Sequence, residues 1–468
     1  MIPVSLSWVA DQVEGELIIA NSADVTVKGA STDTRTIAPE ELFIALVGPN
    51  FDGHEFVDKA QQLGAFAAIV SKPLASEIAQ ILVKDTTIAL GLLGAAVKAK
   101  VAPKTVAITG SSGKTTVKEM VAAILSRRGK VLATKGNFNN EIGVPLTLLR
   151  LVADDEFAVI ELGANHLGEI AYTTNLVKPD VATIVNAAAA HLEGFGSLLG
   201  VARAKSEIFK GLSDKGLAIL NADSQFYPFW NGKLRTDKVQ TFSTEKAADF
   251  NAEDVILGLD GCAQFELHTP GGNISVSLSL PGMHNVSNAL VAAGLAMSVG
   301  ATLQDIKEGL RSMPHVSGRL EVKQLTNQVK ILDDTYNANV ASVNVAIDLL
   351  ASFAGRKVLV LGDMGELGDK ARYYHEKVGE YALQMGIDEL FTLGVLSQSA
   401  SEVFKHKGKH FNHLENLVAY LNEQLSHEKR DISILVKGSR SAHMERVVAA
   451  LEDSPVGKFE RTRERIAC

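Results

Sequence analysis

Hydrophobic positions along this chain follow two rhythms that alternate from one end to the other. Short apolar runs of strand length give way to stretches whose apolar residues recur at helical spacing. The clearest unit lies at 105–129. Val106, Ala107 and Ile108 form a strand, Val117, Met120, Val121, Ile124 and Leu125 repeat along one helix face, and Arg127-Arg128-Gly129 closes it. Further strands are predicted at 131–133, 157–161, 181–185 and 217–220 with helices between them, which implies a parallel sheet covered on both faces. From 238 to 280 short alternating runs such as Ile274-Ser275-Val276-Ser277-Leu278 predict an antiparallel addition, followed by a helix at 286–297.

The same patterns divide the chain. Residues 1–98 read as a small α/β block, with strands at 42–46 and 67–70 around a helix at 55–63. Residues 99–313 form the central block. Residues 314–468 begin near Met313-Pro314 and alternate again, with strands at 357–361, 390–393 and 432–436 that end at or just before Gly362, Gly394 and Gly438. Strands ending in glycine beside a helix start belong to doubly wound, Rossmann-like sheets, which bind ligands at those ends. The fold class is therefore α/β with three domains, the central one a P-loop ATPase-like parallel sheet with an antiparallel add-on.

Composition adds limits. At 468 residues the chain exceeds one hydrophobic core. A net charge of −8 and a pI near 5.9 argue against a general nucleic-acid or membrane-surface binder. Only Cys262 and Cys468 occur, so neither a disulfide framework nor a cysteine metal site is expected. Asp11, Glu14 and Glu16 stand where a signal peptide would be basic and then apolar, and the longest apolar stretch, 86–97, is too short to span a bilayer. A cytoplasmic monomer without membrane insertion or nucleic acid is expected.

The chemistry begins at Gly110-Ser111-Ser112-Gly113-Lys114-Thr115-Thr116, between the strand and the helix of the first unit. Such a loop turns backbone N–H groups and the positive helix end toward phosphate oxygens; Lys114 would reach the outer phosphates and the Thr115 hydroxyl would hold Mg²⁺. Only Ser111 and Ser112 separate the two glycines, a spacing shorter than the common loop, which points to ATP chemistry outside the ordinary GTPase pattern. Glu161 ends the strand 157–161, where a carboxylate completes a Mg²⁺ shell. His191 follows the strand 181–185 in a loop; alone, a histidine there is more often structural than a ligand. Lys205, in a predicted helix 199–212, reads alone as a surface lysine.

Together these motifs resemble the Mur ligases, ATP-dependent amide-forming enzymes of peptidoglycan precursor synthesis. The resemblance runs through Lys135-Gly136-Asn137-Phe138-Asn139-Asn140-Glu141, Glu161-Leu162-Gly163-Ala164, Ala190-His191-Leu192-Glu193, Gly282-Met283-His284-Asn285, Gly318-Arg319-Leu320-Glu321 and Asp333-Asp334-Thr335-Tyr336-Asn337. It covers all three blocks in order. Ser31-Thr32-Asp33-Thr34-Arg35 is similar to the uridine-nucleotide-binding domain of the two late ligases. Leu361-Gly362-Asp363-Met364-Gly365-Glu366-Leu367-Gly368, with His375, resembles the member that adds D-alanyl-D-alanine, and the Asp-Asn-Pro-Arg of its sibling is absent.

The resemblance implies a UDP-MurNAc-tripeptide and D-alanyl-D-alanine as partners, with ATP and two Mg²⁺ ions. It places Thr115 and Glu161 on one ion and His191 on the other, joined there by Lys205 where that lysine is carbamylated as in several members of the family. Lys114, His191, Lys205 and Arg319 become the catalytic set. Asn140 and Asn288 are assigned to adenine, Arg319 to the γ-phosphate and Asp334 to the ribose. Ser31, Thr34 and Arg35 are assigned to the uridine diphosphate, with Asp52 and His54 beside them. Met364, Glu366, His375, Lys437 and Ser439 are assigned to the dipeptide. Asn285 alone reads as a helix cap, Arg35 equally as a surface ion-pair partner. A folylpolyglutamate-synthase-like ligase, a non-catalytic nucleotide-binding module and an inactive paralogue are the competing readings.

Overall fold

The computed structural model describes residues 1–18, 25–188, 192–234, 238–313, 318–426 and 430–454. Three main sheets appear in chain order. The first has five strands in the order Glu16–Ile18, Ala79–Leu82, Ala67–Val70, Glu41–Ile44, Gly29–Ser31, all parallel but the first. The predicted helix 55–63 is two pieces. Asp52 accepts from the N–H of His54, a tight turn runs Gly53–Phe56, and the α-helix is Val57–Gln62.

The helix Thr86–Val101 runs through residue 98 and packs on the central sheet's helices. A methyl group on Gly94 would lie 3.0 Å from Pro145 Cα, and one on Gly91 would lie 2.2 Å from the Tyr172 hydroxyl. These glycines are the condition for that close approach.

The central sheet has nine strands. Val131–Ala133, Phe157–Glu161, Lys104–Thr109, Val181–Ile184, Leu217–Asn221, Val239–Ser243 and Phe250–Leu257 are parallel; Cys262–Thr269 and Gly272–Pro281 continue it antiparallel. The antiparallel addition therefore starts later than 238, because alternation along a strand reports a half-buried face and not strand direction. Lys104–Thr109 lies between Phe157–Glu161 and Val181–Ile184, where strand order reverses, and a crevice opens at its carboxyl end. Val106, Ala107 and Ile108 are fully buried, which is why this strand is continuously apolar. Helix Lys114–Leu125 buries Val117, Val121, Ile124 and Leu125 against helix His284–Ser298, whose Val286, Leu290 and Ala293 join the same core. Each such apolar side chain contributes about 1.5–3 kcal/mol on burial, and together they hold the loop before Lys114 in place.

The third sheet has the order Glu321–Gln324, Val329–Asp334, Ile432–Lys437, Arg356–Gly362, Glu389–Leu393, Gly408–Phe411, parallel after its first hairpin. Asp334 and Lys437 are register partners at the ends of adjacent strands. Helix Val340–Ser352 spans the seam between the second and third domains. Its N-cap residue, Asn339, donates from Nδ2 to the carbonyl of Ser111 at 3.3 Å. At the other end, a methyl on Gly261 of the antiparallel addition would lie 3.0 Å from Leu349 Cδ1 and 3.7 Å from the Phe353 ring. Among the described residues no helix is long and apolar enough to cross a membrane.

Candidate active site

The phosphate loop is held open by a residue outside it. Asn186, just past the strand Val181–Ile184, accepts at Oδ1 from the N–H groups of Ser111 (3.1 Å) and Ser112 (3.0 Å) and donates from Nδ2 to the carbonyl of Ser112 (3.1 Å). Ser111 Oγ donates to the carbonyl of Ala188 at 3.1 Å. Gly110 packs on Val185, and Gly113 caps the helix at φ +78°, a left-handed conformation that favours glycine. Lys114 Nζ donates to the carbonyl of Gly110 at 2.8 Å. Burial lowers its pKa; Glu161 works against that shift and Arg319 adds to it.

Thr115 Oγ1 donates to Glu161 Oε2 at 2.9 Å, and Asn139 Nδ2 donates to Glu161 Oε1 at 2.8 Å. Glu161 is only 2% exposed. A hydroxyl and a buried carboxylate form an oxygen donor set, which fits a hard cation such as Mg²⁺. Lys205 is 3% exposed and lines the same cavity of about 750 Å³, together with Lys114, Thr115, Glu161, Asn165 and Arg319. Desolvation, then the positive charge of Lys114, pushes the Lys205 pKa well below its ordinary value. Lys205 is thus a buried amine and not the surface lysine its isolated sequence suggests. His191 lies outside the described residues, and among those residues no three His, Cys, Asp or Glu side chains converge as a metal site.

A second cavity, of about 180 Å³, joins the two domains beside the loop. Gly113, Thr116, Asn288, Arg319, Asp334 and Lys437 are among its walls. Asn288 Nδ2 donates to Asn285 Oδ1 at 2.9 Å, and Asn285 Nδ2 donates to the carbonyl of Pro281 at 2.8 Å. Asn285 thus braces Asn288 and does not cap the helix. Arg319 reaches both cavities. Its Nη2 donates to Thr115 Oγ1 at 3.4 Å, its guanidinium lies 4.2 Å from the Tyr336 ring centroid, and its buried Nε has no hydrogen-bond partner among the described residues. His284 also faces this cavity, and burial takes its pKa down to about 4.

Asn140 is corrected. Its Oδ1 accepts from the N–H of Gly143 at 2.9 Å, in the turn that leads into the helix Gly143–Leu148, and it is not among the residues lining Asn288's cavity. Its neighbour Asn139 holds the site position. Lys437 is corrected as well. It is 1% exposed and paired with Asp334, and it donates to the carbonyl of Asn337 at 3.0 Å, which commits it to the nucleotide side.

A third cavity, of about 420 Å³, adjoins the loop and includes Lys114, Asn339, Glu366, Ser439, Arg440 and His443. Glu366 and Ser439 therefore stand where a dipeptide pocket is expected; Met364 and His375 do not. Met364 is fully buried in the third domain's core, and His375 Nε2 accepts the N–H of Met364 at 2.9 Å while Nδ1 meets the carbonyl of Ala371 at 2.8 Å. Both side chains are used up inside the fold.

In the first domain Ser31 Oγ donates to the carbonyl of Asp33 at 3.0 Å, and Thr34 is half-buried in the same turn. Arg35 extends into solvent and donates from Nε to Asp33 at 2.9 Å; the guanidinium holds that carboxyl down to about 2. Asp52 pairs with His54 at 2.5 Å and with Lys72 at 2.8 Å, while His54 Nε2 accepts from the N–H of Ser71 at 2.9 Å. Asn186, Asn139 and His284 are the site residues that sequence reasoning missed, whereas Arg440 lies in the stretch 437–441 that it read as supplying cations for the dipeptide carboxylate. Only His284 and Asn139 fell inside the motifs that carried the resemblance.

Comparison with known proteins gives three family-model matches: Mur ligase family, catalytic domain, over 26–127; Mur ligase middle domain over 108–296; and Mur ligase, glutamate ligase domain, over 318–440. The UDP-N-acetylmuramoyl-tripeptide–D-alanyl-D-alanine ligase of Escherichia coli (strain K12) is 50% identical over 455 residues, covering 97% of this chain and 99% of that protein. A crystal structure of MurF from Acinetobacter baumannii superposes with a TM-score of 0.91 at 38% identity, covering 97% and 99% of the two chains. MurF ligase from Thermotoga maritima in complex with ADP gives 0.82 at 29% identity, covering 92% and 99%.

Proposed function

The chain belongs to the Mur ligase family, and from that premise we propose that it joins D-alanyl-D-alanine to UDP-N-acetylmuramoyl-tripeptide at the expense of ATP. The product is the UDP-MurNAc-pentapeptide of peptidoglycan synthesis, released with ADP and phosphate. The enzyme serves cell-wall biogenesis and, through it, cell shape and the division cycle. The observation that carries this reading is one continuous site. Lys114, Thr115 and Glu161 of the central domain share a cavity with Lys205 and with Arg319 from the third.

The chemistry explains that grouping. A carboxylate does not acylate an amine at neutral pH because its leaving group would be oxide. Transfer of the γ-phosphoryl group makes an acyl phosphate, and the amine then displaces phosphate. Two anions must meet, so cations are needed between them. Lys114 and Arg319 bring positive charge to the phosphate end from opposite domains. The first turn of helix Lys114–Leu125 offers N–H groups that the helix itself cannot satisfy. Asn288, braced by Asn285, presents an amide edge suited to a base, and Asp334 lies on the same wall for the ribose. Closure of the third domain on the second excludes water from an acyl phosphate that would otherwise hydrolyse.

Thr115 and Glu161 are the residues that would hold one Mg²⁺, with Asn139 orienting the carboxylate. Mg²⁺ supplies charge neutralisation between the phosphates and the substrate carboxylate. As a cation Lys205 repels a metal; as a neutral amine it adds CO₂, losing one proton and gaining a carboxylate. Its burial favours that reaction, and the carbamate, with His191, is our assignment for a second ion.

In this reading residues 1–98 hold the uridine nucleotide, 99–313 hold ATP and 314–468 hold the dipeptide. Ser31 and Thr34 remain candidates for the diphosphate, and Arg35 is candidate only if it leaves Asp33. A monomer suffices for this reading, since Lys114, Glu161, Lys205 and Arg319 of one chain line a single cavity. It works in the cytoplasm, where ATP and nucleotide-linked precursors are found.

The test is ADP formation by the purified protein with UDP-MurNAc-tripeptide, with and without D-alanyl-D-alanine, and the product weighed by mass spectrometry. ADP release that requires the tripeptide nucleotide, with pentapeptide formed only when the dipeptide is added, supports the reading. Turnover with a folate and glutamate but not with these substrates would overturn it.

A further inference from the structure

Glu366 occupies an unusual backbone state at an informative place. Its φ is +60°, a left-handed conformation that costs a non-glycine residue about 1–3 kcal/mol and persists where surrounding structure enforces it. Glycine adopts this state without strain, and Gly365 and Gly368 stand on either side. The chain nevertheless keeps a carboxylate there.

The cavity of about 420 Å³ next to the phosphate loop falls in the size range of small-ligand sites, about 300–1,000 Å³. Among its described lining residues Glu366 is the one carboxylate, facing Lys114, Arg440 and His443. Ser439 and Ser441 add a hydroxyl pair 3.1 Å apart. A free dipeptide is a zwitterion, and this lining has both signs of charge. Arg440 and the hydroxyls suit its carboxylate. Glu366 is the complement of its ammonium.

Glu366 also lines a recess of about 260 Å³ together with Asn165, and Asn165 lines the larger cavity that contains Glu161 and Lys205. The carboxylate therefore stands where the dipeptide cavity meets the place of acyl transfer.

We infer that Glu366 receives the α-ammonium of the incoming dipeptide and accepts a proton from its nitrogen as the amide forms. This inference rests on the ligase reading above. The balance is complete without a further reactant. The ammonium has three protons and the amide nitrogen keeps one. Loss of the first proton to Glu366 frees the nitrogen lone pair, which forms the C–N bond as the acyl C–O bond breaks, and the electron pair of that bond leaves on phosphate. One proton goes to Glu366 and from there to solvent; the other goes to the departing phosphate, which leaves as hydrogen phosphate. Lys114 and Arg440 are cations and cannot accept it, His443 and His166 are engaged with Glu445 and Glu169, and Glu193 lines the recess but not the dipeptide cavity.

Glu366→Gln keeps the shape and removes the charge. Hydroxylamine trapping of the acyl phosphate, formed from ATP and the tripeptide nucleotide without dipeptide, is expected at the wild-type rate, which also reports an intact fold. Amide formation is expected to fall by about 10²-fold, in the range for loss of a general base. KM for D-alanyl-D-alanine rises, KM for ATP does not, and Glu366→Asp restores part of the loss. Competition by propanoyl-D-alanine separates charge from shape: it lacks the ammonium and inhibits wild type and variant equally. Unchanged amide formation and dipeptide KM in Glu366→Gln would overturn the inference, as would equal weakening of the dipeptide and the ammonium-free analogue. Failure of the wild-type enzyme to form the pentapeptide would instead sink the ligase reading itself.

Discussion

Lys205 lies buried within reach of the positive charge of Lys114, and burial first, then that charge, drives its pKa far down. A lowered folded-state pKa means the neutral amine dominates from a lower pH than on a surface lysine, and only the neutral amine adds CO₂. CO₂-depleted buffer is expected to reduce turnover and bicarbonate to restore it, while Lys205→Ala, expected to lose about 10–100-fold, gains nothing from bicarbonate. An enzyme indifferent to CO₂ removal over hours, with an unmodified Lys205 by intact mass, would rule out the carbamate.

Asn139 donates to the Glu161 oxygen that Thr115 leaves open. Asn139→Ala is expected to raise the Mg²⁺ concentration for half-maximal turnover by about 10–100-fold, with the fold unchanged. Asn140→Ala serves as the contrast. It leaves the N–H of Gly143 without its acceptor, so it is expected to cost about 1 kcal/mol of stability in a denaturant titration and to leave the Mg²⁺ requirement alone.

His284 gives a pH signature. Its pKa is about 4 in the folded protein against 6.5 as the ordinary value; burial lowers it, Asp334 opposes the shift and Lys437 adds to it. Between those values the unfolded chain binds the proton and the folded chain does not. Stability is therefore expected to fall as pH drops from 6.5 toward 4, by up to about 3 kcal/mol from this group. Thermal unfolding of His284→Gln across that window should show a flatter slope than wild type; parallel slopes would deny the group its role.

His375 offers a structural control for the dipeptide site. Removing its ring leaves the buried N–H of Met364 without its acceptor, a loss of about 1–3 kcal/mol. His375→Ala is expected to melt earlier yet to keep a near-wild-type KM for D-alanyl-D-alanine when assayed well below its Tm. A large KM change at constant kcat would return His375 to the pocket.

The parts of this molecule that were legible in the sequence are those written in local patterns. The buried strand 106–108 and the helix face of Val117, Val121 and Ile124 follow from spacing alone, and so does Glu161 at a strand tip. Polar pairings across long stretches of chain leave no such trace. Asn186 clasps a loop 74 residues upstream, and Lys437 pairs with Asp334 at a separation of 103. Asn139 and Asn140 look alike in sequence; only the fold turns one toward Glu161 and the other toward the N–H of Gly143. Met364 and His375 read as site residues because the motif around Glu366 resembles that of the member that adds D-alanyl-D-alanine, but Met364 packs into the third domain's core and His375, on helix Ala371–Gln384, turns inward to accept its N–H.

Helix Val340–Ser352 touches the central domain at three levels: Asn339 at the phosphate loop, Ser342 and Val345 at the nucleotide cavity, and Leu349 at Gly261 of the antiparallel addition. These positions fall on one stripe of a single rigid rod about 20 Å long. A nucleotide seated under the middle of that rod is fenced at both ends. Release of ADP from such a place is expected to need the third domain to lift, not one side chain to turn, so that a hinge as well as the chemistry sets the pace of turnover.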